Sequence, residues 1–137
     1  MRFGVIVLGI NLKFIIMINT KIHGYIDYIM GLLLIISPML FDLPDGAAST
    51  LPVVLGIGTI IYSLLTDYEL GLFKVIPLKV HLGIDLVAGL LLIAAPWLFD
   101  FDDEVIWPFV ILGGLEVIIT LLTERHTTHA DTANTRA

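Results

Sequence analysis

The sequence predicts an all-α membrane protein: four transmembrane helices arranged as two tandem, parallel-repeat helical hairpins. Three observations predict it. Hydrophobic residues make up 58% of the 137 and charged residues only 15%, where a soluble domain carries about 25% charged residues. With a mean hydropathy of +0.99, there is too little charged surface to solvate a globule of this size. Four apolar stretches approach the roughly 20 residues needed to cross a hydrocarbon core as helix, and the second half of the chain repeats the first.

The stretches run at about residues 23–41, 50–66, 81–99 and 105–123. They are continuously apolar and not alternating, which argues for helix against membrane strand. Linkers 42–49 and 100–104 are short, so each joins two antiparallel neighbours. The middle linker, DYELGLFKVIPLKV at 67–80, is longer, and Gly71 and Pro77 break any continuous helix through it.

The repeat is read by shifting the chain by 58 residues, which lays KIHGYIDYIMGLLLIISPMLFD over KVHLGIDLVAGLLLIAAPWLFD with 13 of 22 positions identical. The second helices match at a shift of 57, as VLGIGTIIYSLLTD over ILGGLEVIITLLTE. Apolar helices share Leu and Ile by chance; they do not also share His, Asp, Pro and a terminal Asp in register. The duplication is therefore genuine. Each copy contains two crossings, so both enter the membrane from the same side. The repeat is parallel, with its pseudo-two-fold axis along the membrane normal, unlike the inverted repeats of many transporters.

Charge placement sets the expected orientation. Arg2, Lys13 and Lys21 precede the first helix, Lys74 and Lys79 lie in the middle linker, and Arg125 and Arg136 follow the last. The two hairpin loops hold Asp42, Asp45, Asp100, Asp102, Asp103 and Glu104 with no base among them. The positive-inside rule then places both termini in the cytoplasm. The chain divides into a cytoplasmic lead at 1–20, a first two-helix unit with its linker at 21–78, a second at 79–124, and a tail at 125–137 expected to be disordered. The lead reads in two ways. It is an interfacial helix, or it is an upstream extension of a chain whose natural start is Met17. Asn11 and Lys13 interrupt its apolar run and no small-residue cleavage site follows, which argues against a signal peptide, and a fifth span would spoil the charge asymmetry.

The H-x-x-x-D-x-x-x-G opening, the Leu run after it and the Pro position before Leu-Phe resemble the SPW-repeat family of small bacterial membrane proteins. The resemblance covers roughly residues 21–124. That family is named for Ser-Pro-Trp in the first helix of a two-helix unit. Here the first copy reads Ser37-Pro38-Met39 and the second Ala95-Pro96-Trp97, so neither copy carries both the Ser and the Trp. The resemblance implies fold, topology and a bacterial inner-membrane location; it implies no biochemical activity.

Among chemistry-bearing residues, His23/Asp27 and His81/Asp85 are each spaced i, i+4 and share one helix face. An ionised Asp at a helix centre costs about 2.5–3.5 kcal/mol on insertion scales, less near an interface, so a partner must offset it. One reading is structural: the pairs bond each other and pin helices one and three together. The other is a shared proton-relay or metal site at the pseudo-two-fold axis, with donors that suit a divalent first-row metal. Glu116, whose repeat mate is Thr59, is the most isolated charge, and His81 is its expected partner. It reads either as a functional ionisable group or as a protonated cross-helix donor.

Pro38 and Pro96 read as kinks near the outer ends of helices one and three, with Ser37 able to satisfy a freed carbonyl. Trp97 and Trp107 sit at interfacial depth. Gly31 and Gly89 lie on the His/Asp face, and Gly56, Gly58, Gly113 and Gly114 thin the second helices for close packing.

The expected protein is a small structural or accessory membrane protein, in the lipid bilayer and associated with itself or with a larger membrane partner. The alternative is a small proton- or ion-linked transporter or channel using His23, Asp27, His81, Asp85 and Glu116. No catalytic residue is expected, since no nucleophile sits with a base and no Gly-rich loop could cradle phosphate. Cofactors and a resident metal are not expected either, because no spacing matches a motif as telling as H-E-x-x-H. With no cysteine and a net charge of −6, disulfides and nucleic-acid binding are not expected.

Overall fold

A computed structural model describes residues 17–125. The lead before Met17 and the tail after Arg125, including the readings made for them, lie outside the described residues. Those residues form an all-α membrane protein of four helices: α1 (Thr20–Leu40), α2 (Ala47–Leu65), α3 (Leu78–Leu98) and α4 (Trp107–Leu122). The first three are long and apolar enough to cross a membrane; α4, at 16 residues, is apolar but shorter. It rises about 24 Å, against a hydrocarbon core of about 30 Å.

Three helices begin about three residues before the apolar stretches do. Asn19 caps α1 by accepting from the Ile22 amide at 2.9 Å, which draws polar Thr20 and Lys21 into the first turn. α3 starts directly after Pro77 and α2 directly after Gly46, whose φ of 102° suits glycine. α4 begins later than its apolar stretch because Pro108 lies in the first turn, where its missing N–H costs nothing.

α1 and α3 end alike. Asp42 and Asp100 take left-handed backbone at φ 50° and 59°. The amides of Leu43 and Phe101 then reach back to the carbonyls of Pro38 (3.0 Å) and Pro96 (2.9 Å), closing each helix with a Schellman turn. The repeated Leu-Phe-Asp is therefore a helix stop.

Within each copy the two helices pack closely, α1 on α2 and α3 on α4. Glycine makes this possible. A Cβ on Gly31 would lie 3.0 Å from the Gly56 carbonyl, and one on Gly89 would lie 3.1 Å from that of Gly113. Gly58 and Gly114 have nothing within 4 Å of the Cβ position; they do not serve this packing, and Gly56 and Gly113 alone form the close contact on the second helices.

The copies are joined by exchanged lead-in segments. Ile76 pairs with the end of α2, its amide donating to Leu65 O and its carbonyl accepting from Asp67, both at 2.8 Å. Ile18, its repeat mate, does the same at the end of α4, with Leu122 O at 2.8 Å and the Glu124 amide at 2.9 Å. The duplication in sequence is thus a two-fold relation in space.

The interior is inverted relative to a soluble bundle. Among the described residues nearly as many buried side chains are polar as apolar, while large apolar ones such as Ile29, Val87 and Ile118 are more than half exposed. That distribution suits lipid outside and polar groups inside. The apolar core, with Leu34, Leu92, Phe101 and Phe109, occupies the end near the acidic loops; the polar groups gather toward the other.

Candidate functional site

One His and one Asp stand on the inner face of α1 and of α3, at matched levels. Within each helix the i, i+4 contacts form: His23 Nε2 lies 3.2 Å from Asp27 Oδ1, and His81 Nε2 lies 3.1 Å from Asp85 Oδ2. Between helices the partners cross. His23 Nε2 lies 3.1 Å from Asp85 Oδ2, and His81 Nε2 lies 3.0 Å from Asp27 Oδ2. Two imidazoles and two carboxyl groups therefore close a ring of alternating nitrogen and oxygen contacts, each side chain at most 1% exposed. Their ligand atoms all lie within 4.8 Å of one another, a set able to hold one metal ion.

The outward nitrogens are held symmetrically. His81 Nδ1 lies 2.8 Å from Thr66 Oγ1, and His23 Nδ1 lies 2.8 Å from Thr123 Oγ1. Each threonine donates its own hydroxyl proton one turn back, Thr66 to Tyr62 O and Thr123 to Ile119 O, both at 2.7 Å. A hydroxyl has one proton to give, so each threonine oxygen accepts from the ring, and each histidine carries a proton on Nδ1. Nε2 of each ring then faces the carboxyl groups, as a lone pair in the neutral ring or as an N–H donor in the imidazolium.

Differences between the copies break this symmetry. Tyr62 donates to Asp85 Oδ1 at 2.5 Å; its repeat mate is Ile119, and Asp27 Oδ1 is left without a hydrogen bond. Ser63 donates weakly to Asp27 Oδ2 at 3.4 Å. Tyr62 and Tyr68 also pack on the His81 ring, with centroids at 5.0 and 5.5 Å. Gly24 admits Tyr68, since a Cβ there would collide with its ring. In the linker, burial foremost and then the Asp27 charge push the Tyr68 hydroxyl up from the usual tyrosine range.

Glu116 is placed beside this ring and not within it. The expected pairing with His81 does not form, because both nitrogens of His81 already face Thr66 and the two Asp residues. Glu116 is 5% exposed, and its Oε2 has no hydrogen bond; neither does Oγ1 of Thr120 one turn later. Glu116 remains within electrostatic reach of Asp85, Asp27 and His81.

The Pro motif lies at the other end, away from the ring. Ser37 Oγ donates to Leu34 O at 2.8 Å, the carbonyl that Pro38 deprives of its helical donor. Ala95 cannot do the same beside Pro96. Met39 and Trp97 point outward, 91% and 55% exposed, as does Trp107 at 72%.

The residues that sequence reasoning passed over are Thr66, Thr123 and Tyr62. The threonines carried a signal, since Leu-Leu-Thr-acid closes both second helices in register. Tyr62 has no counterpart in the second copy and carried none.

Against known proteins, the model of the SPW repeat domain matches residues 21–123. No curated protein and no solved structure matches the chain.

Proposed function

The chain belongs to the SPW repeat family, and from that premise we propose a small structural or accessory protein of the bacterial cytoplasmic membrane, without enzymatic activity. It works in the bilayer with copies of itself or with a larger membrane partner, and both termini face the cytoplasm. The observation that carries this reading is the closure of the His/Asp ring on itself. Every ring nitrogen has a facing oxygen within 3.2 Å, and the outer pair is anchored to backbone through Thr66 and Thr123. Three of the cavities among the described residues are lined by other side chains, without His23, Asp27, His81, Asp85 or Glu116 on their walls. A closed polar clamp between the two copies supports a fastening role. Orientation is supported by Lys21, Lys74, Lys79 and Arg125 at the helix ends opposite the acidic loops.

Proton and divalent-ion flux in proteoliposomes tests the reading, comparing wild type with Asp27→Asn/Asp85→Asn. No flux above empty vesicles is expected from either. Flux from the wild type that the double variant abolishes would replace the structural reading by ion-linked transport through the cluster. That second reading is favoured by one observation, the buried Oε2 of Glu116 that lacks a hydrogen bond. Orientation is tested by single cysteines, which the cysteine-free chain allows. An impermeant maleimide outside intact cells should label Asp102→Cys and leave Lys74→Cys unlabelled; the reverse pattern would invert the topology.

A further inference from the structure

We propose that His23, Asp27, His81 and Asp85 form a binding site for one divalent first-row transition-metal cation, of the zinc type, at the centre of the bundle. The proposal holds whether the protein fastens or transports.

Thr66 and Thr123 spend their hydroxyl protons on Tyr62 O and Ile119 O, so they accept from Nδ1 of His81 and His23. Both Nε2 atoms then face carboxyl oxygens at 3.0–3.2 Å, and in the neutral ring each presents a lone pair there. Lone pairs and carboxylates that close repel unless positive charge lies between them. Two protons or one divalent cation would balance the two carboxylates.

The doubled contacts of each Nε2 separate those options. Each Nε2 faces oxygens of two different carboxyl groups at nearly equal distance: 3.1 and 3.2 Å for His23, 3.0 and 3.1 Å for His81. One N–H points along one line and cannot serve both well. Asp27 Oδ1, 3.2 Å from His23 Nε2, is in fact a buried oxygen with no hydrogen bond. A central cation satisfies all four side chains at once. A tetrahedral ion with bonds of about 2.0–2.1 Å spaces its ligands about 3.3 Å apart; the N–O contacts are close to that, and the set as a whole, within 4.8 Å, would draw in slightly around the ion. Two imidazoles with two carboxylates form a recognised donor type for such ions, and the charges sum to zero in a buried place.

The surrounding side chains fit the same ion. A metal-bound histidine typically donates its other N–H to a fixed acceptor, which sets tautomer and ring orientation. Thr66 and Thr123 supply that acceptor identically in both copies, and Tyr62 holds the second oxygen of Asp85.

The test uses full-length protein in detergent with His126→Asn and His129→Asn, which removes the other two histidines of the chain, and with no histidine tag. After chelator treatment, Co2+ is titrated and visible absorption recorded. One equivalent should bind, with the intense bands of four-coordinate Co2+, and Zn2+ should displace it. His23→Gln and His81→Gln should each lose at least 100-fold in affinity while circular dichroism stays helical. Where those variants fold poorly, Thr66→Val/Thr123→Val retains all four ligands and should bind about 10-fold more weakly. Absence of Co2+ uptake by folded protein at 100-fold excess overturns the site. So does uptake that survives both histidine variants, or affinity unchanged by the threonine pair.

Discussion

His23 Nε2 lies 3.1 Å from Asp85 Oδ2, although 62 residues separate them in the chain. Each histidine reaches the aspartate of the other copy, so the contact welds one hairpin to its duplicate instead of stabilising a single helix. Removing one partner of a buried polar pair leaves the other group unsatisfied, which costs about 1–3 kcal/mol, more where that group is charged. The two positions should therefore couple. In a double-mutant cycle of His23→Gln and Asp85→Asn, read by unfolding in mixed micelles, an interaction energy of about 1–3 kcal/mol is expected. His23→Gln with Phe109→Leu, placed in the apolar core at the far end, should be additive. Additivity in the first cycle would mean that the crossed contact does not hold the copies together.

Glu116 tests whether a buried ionisable group is needed for assembly. Its Oε2 has no hydrogen bond, and its repeat mate Thr59 is neutral. Glu116→Gln keeps the shape and removes the ability to ionise, so insertion and assembly should be unchanged, measured as protein recovered folded from membranes. Loss of the assembled protein on this isosteric change would show that the carboxylate itself is structural.

How far the sequence reaches into this architecture depends on the kind of signal. The i, i+4 spacing places His23 with Asp27 on one face, and repetition places His81 with Asp85 identically. Which aspartate each histidine meets across the bundle depends on the level at which α1 and α3 are fastened, and no local pattern encodes that. Pairing of Ile18 with Thr123 and of Ile76 with Thr66 sets this level, through backbone bonds that leave no trace in residue type. Hydropathy also misplaces helix starts: it stops at Thr20 and Lys21, where Asn19 begins the helix, and it runs through Val105 and Ile106, where Pro108 delays it. Glu116 is legible as a buried charge, but its pairing with His81 is excluded by Thr66, whose role shows only once the hydroxyl is seen against Nδ1.

The helix stops make a local prediction. Asp42 and Asp100 sit at positive φ, where a side chain costs about 1–2 kcal/mol and glycine costs none. Asp42→Gly and Asp100→Gly should match or exceed wild-type stability, gaining at most about 1 kcal/mol. Asp42→Val should lose about 1–2 kcal/mol, since a β-branched residue tolerates this conformation poorly. Thermal unfolding in detergent separates the two. Equal melting temperatures for the Gly and Val variants would mean that the turn is not held in the left-handed form.

Two pairs of glycines should respond oppositely to one methyl group. A Cβ on Gly56 would stand 2.5 Å from the Gly31 carbonyl, and one on Gly113 2.6 Å from the Gly89 carbonyl and 2.9 Å from the Ile93 amide. These are backbone atoms, so relief requires α1 to move from α2, or α3 from α4. Gly56→Ala and Gly113→Ala should each cost about 1–3 kcal/mol, the usual range for overpacking. Around Gly58 and Gly114 there is open space, and alanine is the better helix former by about 0.8–1.0 kcal/mol. Gly58→Ala and Gly114→Ala should therefore be neutral or mildly stabilising. All four variants keep the polar ring untouched, so unfolding in one detergent compares them directly. If Gly56→Ala proved as stable as Gly58→Ala, α1 and α2 could not touch through their backbones, and the spacing that brings His23 and Asp27 to the bundle centre would have to arise elsewhere.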